Sequence, residues 1–349
     1  MRARDSLKVS LALAAAFFLP AVVLAQAGSA RYTVVALAGL TSDSTSLTRR
    51  INVAGQMVGA SGYISGSDNR AVLWTAGAME VLGALPGGDY SAAFGLNNAG
   101  QVVGTSNTAT VARAFRWTRS RGMQDLGTLP GDTGSEAFAV NSAGDVVGTS
   151  SGPKGIRALL WSTTGKIQNL GTLPGGDYSK AVAINDPGQV VGTSTSSSGT
   201  RAFLWTDSGG MRDLGTLPGH TTSEAVDINN SGQVAGYSSG PRGTRAFLWT
   251  SSGGMLDLGT LPGGDFSRAF GINNAGQVVG TSTSSAGMRA FLWTSASGML
   301  DLNALISFVD PALVLSEAHS INDAGQIGAL SGGGHEVEHY YRAFFLTPP

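Results

Sequence analysis

Three groups of residues have types and spacings suited to chemistry. The first is His335-Glu-Val-Glu-His339, which spells H-E-x-x-H. On a helix that spacing puts two imidazoles one turn apart on one face, with the glutamate reaching a metal-bound water. Here three glycines precede the motif, and a strand-like Arg342-Ala-Phe-Phe-Leu follows within three residues. In an extended chain the two imidazoles would stand about 13 Å apart, so no catalytic zinc is expected. The second group is the aspartates of Gly-Gly-Asp loops, Asp89, Asp177 and Asp265, with Asp132 in a shorter variant and His220 replacing the acid once. Hard cations want several oxygens, and one carboxylate per loop is too few. An Asx-type turn closing on its own backbone is expected instead. Neither a metal nor any other cofactor is expected.

The third group is a column of changing residues that each follow a serine: Leu47, Ala92, Glu136, Lys180, Glu224, Arg268 and Glu317. Its five charged members, Glu136, Lys180, Glu224, Arg268 and Glu317, are the candidate ligand-binding residues. A self-paired, solvated ring of charge is the alternative. The chain has no G-x-S-x-G elbow, no phosphate-binding glycine loop and no cysteine. The reading therefore leans away from an enzyme.

That column keeps the beat of a repeat. Asp125-Leu-Gly-Thr-Leu-Pro-Gly131 returns at Asn169, Asp213 and Asp257, each 44 residues on. An N-x-x-G turn begins at Asn52, Asn97, Asn141, Asn185, Asn229, Asn273 and Asn322, and an Arg-Ala segment begins at seven positions from Arg70 to Arg342. A serine precedes each turn asparagine by six residues. Coincident markers at one period identify a repeat array. Their uniformity assigns the Arg, Asn and Ser columns to turns and strand ends rather than to a single active site.

Each unit divides into four short runs rich in Val, Ile, Phe, Trp and Thr, such as Ala181–Asn185, Gln189–Ser194, Arg201–Thr206 and Met211–Gly215. These are strand lengths and strand residues. Tight Asn- and Gly-bearing turns join antiparallel neighbours. The longer Thr-Leu-Pro-Gly-Gly-Asp connection suits a crossing to the next sheet. Phe203 and Trp205 occupy one face of their strand, Ala202 and Leu204 the other, so both faces need cover. The pattern predicts an all-β, seven-bladed β-propeller, with an open β-solenoid as the alternative. The final unit lacks a fourth strand, and residues 32–37 stand at fourth-strand spacing before the first Asn turn. Strand 32–37 should therefore pair with strand 342–347 and close the ring.

Charged side chains are 13% of the 349 residues and nearly balanced, with net charge −1. No basic stripe offers a phosphate-binding face, which argues against nucleic acid. Residues 1–27 read as a signal peptide: Arg2, Arg4 and Lys8, then an apolar run, then Ala25 and Ala27 in A-x-A spacing. Residues 28–349 read as one domain, monomeric by default, with no membrane span once the leader is cleaved. Without cysteine, strand pairing and core burial must hold it together outside the cell.

The motif D-L-G-T-L-P-G-G-D-Y-S…I-N-x-x-G-Q-V-V-G-T-S…R-A-F-L-W-T resembles the HAF-repeat family of extracellular bacterial repeat proteins, over residues 32–347. The resemblance implies secretion and a repeat fold, and carries no catalytic residues. The expected function is a secreted binding or interaction module for an extracellular polymer, glycan or protein. A propeller enzyme (lyase or hydrolase) acting on polysaccharide or peptide and a cell-envelope structural protein are the alternatives. N-terminal sequencing of exported protein should begin near residue 28, and an exported chain still starting at Met1 would contradict the leader.

Overall fold

The apolar residues that alternate along each repeat find cover on both sides only if one four-stranded sheet lies between two others. The computed structural model describes residues 31–41, 45–62, 69–307, 313–332 and 341–349. Residues 1–27, read above as a signal peptide, and the His335–His339 motif lie outside the described residues. The described chain forms seven antiparallel four-stranded sheets, the blades of a β-propeller. The helical content among these residues is one 3₁₀ turn, Leu302–Ala304. In blade 4 the strands run Ser179–Ile184, Val190–Ser196, Gly199–Thr206 and Gly210–Asp213, from innermost to outermost. The innermost strands pack against one another around a central channel.

Seven apolar clusters fill the spaces between blades. Phe203 and Trp205 join Val147 and Ala158 of blade 3. Ala202 and Leu204, on the opposite face, join Phe247 and Trp249 of blade 5. The expected two-sided burial is therefore observed, and Phe203 has no exposed surface.

The repeated polar residues fasten one blade to the next. Ser179 Oγ accepts from the Ala158 N–H of blade 3 (2.9 Å) and donates to the Gly171 carbonyl (2.6 Å). Asn185 closes its own turn by accepting from the Gln189 N–H through Oδ1 (2.8 Å), while Gly188 takes φ of 83°. Its Nδ2 then donates to the Asn229 carbonyl of the following blade (3.0 Å). All seven turn asparagines repeat this donation, and Asn322 returns it to the Asn52 carbonyl at 2.8 Å. The repeated arginines bind backbone carbonyls of the next connection, as Arg201 does at Thr221 (2.6 Å), and approach the aspartates of their own outer strands.

Blade 7 is assembled from both ends of the chain. Thr33–Ala36 pairs antiparallel with Arg342–Thr347, in register from Thr33 opposite Thr347 to Ala36 opposite Phe344. The Leu37 N–H donates to the Ala343 carbonyl (2.8 Å), as the Leu82 N–H donates to Ala71 in blade 1. The Leu40 N–H reaches Ser61 Oγ (2.9 Å), just as the Leu85 N–H reaches Ser106 Oγ. Residues 32–40 are thus the fourth strand and crossing that the sequence places there. Deleting residues 28–40 removes this pairing with the buried Tyr32 and Leu37, and should lower the melting temperature by roughly 10 °C. Removing only Pro348 and Pro349 should leave it nearly unchanged. Calorimetry of the two truncations checks both.

Candidate functional site

Each innermost strand carries a β-bulge. In blade 4 the register slips between Ala181 and Ala183, leaving Val182 unpaired. The same slip sets apart Arg49, Phe94, Phe138, Val226, Phe270 and His319 in the other blades. A bulge re-aims the side chain of its extra residue. All seven bulge residues line one chamber of about 500 Å³ in the central channel. In blades 1 to 6 a glycine on the neighbouring strand faces the residue before the bulge, and in blade 7 Ala329 does; a Cβ at Gly192 would stand 1.9 Å from the Lys180 carbonyl oxygen.

The floor of this chamber is an ion pair. The position after the bulge is small in five blades: Gly95, Ala139, Ala183, Gly271 and Ser320. Neighbouring inner strands crowd it, since a Cβ on Gly95 would lie 2.9 Å from the Ala139 Cα. In blades 1 and 5 it is Arg50 and Asp227. These two meet in a bidentate pair at 2.7 and 2.8 Å. Their blades are as far apart as a seven-membered ring allows, so the pair crosses the lumen. The Asp227 side chain is 2% exposed, that of Arg50 28%. Asp227 also accepts from the N–H groups of Ile228 and Ile272, both at 3.0 Å. Its carboxylate raises the Arg50 pKa against the effect of burial. Arg50 lines both the chamber and a smaller, polar cavity of about 150 Å³ on the side of the asparagine ring. The pair therefore separates the two.

The five charged candidates occupy equivalent positions, one per inner strand, two residues before the bulge. Glu136 and Lys180 line the chamber itself, and Lys180 and Glu224 line an adjoining recess. Among the described residues no ion pair joins any two of the five. Four of them are instead set against rings. The Lys180 ammonium lies 4.1 Å from the centre of Phe138. Arg268 lies over Tyr237 at 4.5 Å. Burial, then the nearby Glu224 carboxylate, push the Tyr237 pKa up. Glu317 Oε2 is 2.7 Å from His319 Nε2. That hydrogen bond pulls the Glu317 pKa down, while burial pulls the His319 pKa down and favours neutral imidazole.

Aromatic contacts build the chamber wall. Phe94 stacks on Phe138 with centroids 5.5 Å apart, and Phe270 stacks on His319 at 4.9 Å. The sequence reading found the charged column but not the bulge column beside it, nor the Arg50–Asp227 pair. The signal for the bulge was present: a lone glycine in the middle of an otherwise β-branched strand marks such a site.

The Gly-Gly-Asp acids behave differently from expectation. Asp177 does not close an Asx turn on its own backbone. Thr195 Oγ1 takes the Asp177 and Tyr178 N–H groups and donates to Asp177 Oδ1 (3.0 Å). The Asx turn falls instead to Asn169, which accepts from the Gly171 N–H (2.9 Å), and to Asp125, Asp213 and Asp257. Among the described residues no three His, Asp or Glu side chains are grouped to hold a metal, and no helix is long and apolar enough to cross a membrane.

No family model matches the chain, and no curated protein sequence matches it significantly. Solved propellers do resemble it in structure. Virginiamycin B lyase from Staphylococcus aureus is 12% identical with a TM-score of 0.56, covering 90% of this chain and 99% of its own. The β-propeller domain of the trilobed protease from Pyrococcus furiosus, described as having an open velcro topology, is 8% identical with a TM-score of 0.54, over 90% and 93%. TolB from Acinetobacter baumannii is 9% identical with a TM-score of 0.50, over 70% and 62%. At these identities the likeness shows the fold.

Removing one partner of a buried ion pair leaves an unpaired charge, so Asp227→Ala should cost about 3–5 kcal/mol. In an Arg50→Met background the same substitution should cost clearly less. Urea unfolding of the wild type, both single variants and the double variant measures this coupling. Strictly additive costs would show the two side chains to be independent.

Proposed function

We propose that this chain is a secreted, non-catalytic binding module whose ligand, from an extracellular glycan, polymer or protein, occupies the channel chamber. The observation that carries this reading is an asymmetry inside a symmetric frame. The serine and asparagine columns of the inner strands are the same in all seven blades. The bulge column that faces the chamber differs from blade to blade, as Arg49, Phe138, Val226 and His319 illustrate, and so does the charged column beside it. A chamber of this volume, apolar with a few placed polar groups, is of the kind that holds small ligands. The leader-like residues 1–27 and the resemblance to the HAF-repeat family support export, and the propeller likeness to TolB is compatible with it.

One observation favours a second reading, a propeller enzyme. Neutral His319 held by Glu317 at the chamber wall is a pairing suited to proton transfer. Turnover separates the two readings.

A panel of soluble glycans, polymers and peptides screened against the mature protein is the test, with Val226→Trp as the variant that fills the chamber. Saturable binding should weaken by at least about tenfold in the filled variant while its melting temperature stays within a few degrees. Binding indifferent to Val226→Trp would place the ligand elsewhere. Hydrolysis or elimination products that disappear in His319→Gln would replace the module with the enzyme.

A further inference from the structure

Within that proposed module, and resting on it, one residue of the chamber indicates what kind of ligand is bound. Arg49 is the bulge residue of blade 1 and projects into the chamber. Among the described residues its guanidinium makes no hydrogen bond, ion pair or ring contact. The other cations nearby are engaged: Arg50 by Asp227, Lys180 by the Phe138 ring, and Arg268 by Tyr237 and Phe266. Glu317 lends Arg49 electrostatic support without a hydrogen bond or ion pair, its carboxylate being bonded to His319. Desolvation in the channel pulls the Arg49 pKa down, while Glu317 acts in the other direction. The Arg49 side chain is exposed to the open chamber, so a ligand entering it meets a cation with no protein partner to displace.

The chemistry of that partner follows from the surroundings. Arginine presents a planar fork that matches a carboxylate with two parallel hydrogen bonds. Once Arg50 is cancelled by Asp227, the charges lining the chamber are Arg49, Lys180 and Glu136, which leaves one net positive charge. That balance suits a monoanion better than a phosphate dianion. The remaining wall is Phe94, Phe138, Val182, Val226 and Phe270, all half-buried with surface left toward the chamber. Aromatic walls favour a flat-faced ring, whether an arene or the apolar face of a pyranose.

We infer that the chamber binds a ring-bearing carboxylate, with Arg49 taking the carboxylate and the phenylalanine wall taking the ring. The ring has two sources, an aromatic acid or a sugar acid, and the experiment separates them. Isothermal titration calorimetry of the mature protein with benzoate and with methyl β-D-glucuronide is compared with their neutral counterparts, benzamide and methyl β-D-glucoside. At least one acid should bind saturably at one site, with its neutral counterpart weaker by about ten- to a hundredfold. Arg49→Gln should lose a similar factor and Arg49→Lys should recover part of it. Because Arg49 has no partner to lose, Arg49→Gln should melt no lower than the wild type, so loss of binding cannot be laid to unfolding. Binding of benzoate alone assigns an aromatic acid, and of the glucuronide alone a sugar acid. Binding of both assigns recognition to the carboxylate and any flat ring. The inference fails if a neutral counterpart binds as tightly as its acid, or if Arg49→Gln binds like the wild type. It also fails, leaving the module reading intact, if both acids are refused while the wider screen finds a neutral or cationic ligand displaced by Val226→Trp. If nothing in that screen binds, the module reading falls and this inference with it.

Discussion

Seven asparagine side chains, each giving an N–H to the backbone of the next blade, make a circle with no first or last member. No unit can satisfy its own Nδ2 fully, and none can go without a successor. In an open array the last asparagine would face water. Here Asn322 finds Asn52, across nearly the whole length of the chain. The ring of turns fixes the spacing of the inner strands at one end of the channel. What happens further along those strands, where the bulges and the chamber lie, is set from that fixed end.

Labour is divided along a single strand. Within seven residues, from Ser179 to Asn185, the chain supplies a clasp to the previous blade, a rim charge, a bulge, a packing position and a clasp to the next blade. The clasps are uniform because every blade has the same neighbours. Rim and bulge side chains are released from that requirement because they meet the channel. Sequence variation is therefore concentrated where it disturbs the ring least, and the Arg50–Asp227 bar shows how far it extends: two large charged residues occupy a column otherwise reserved for Gly, Ala and Ser.

The period, the count of seven, the two-sided burial of Phe203 and Leu204 and the closing strand were all legible in the sequence, because each depends on local spacing that the repeat displays many times. The charged column was also legible, through its offset from the serine. The bulge was not, because an alternating apolar pattern says nothing of a skipped pairing unless Gly192 is read as the space it needs. The Arg50–Asp227 contact was beyond reach for a different reason. Its partners are 177 residues apart and each, taken singly, is a stray departure from a small-residue column. The role of Asp177 was misjudged because Thr195 takes the loop N–H groups first, which no local turn rule anticipates.

The pairing of Thr33–Ala36 with Arg342–Thr347 also imposes an order of events. Blades 1 to 6 are each complete within a contiguous stretch of chain, so they can form one after another as the polypeptide emerges N-terminus first. The segment before blade 1 has no such liberty. It must stay without its partner while the rest of the protein appears, holding an unpaired edge through the period when strands are most prone to wrong company. Its partner follows every other described strand, and joining the two closes a loop that spans all of them, the step expected to be slowest. Strand Arg342–Thr347 thus acts as a latch on a ring whose six other blades are already complete.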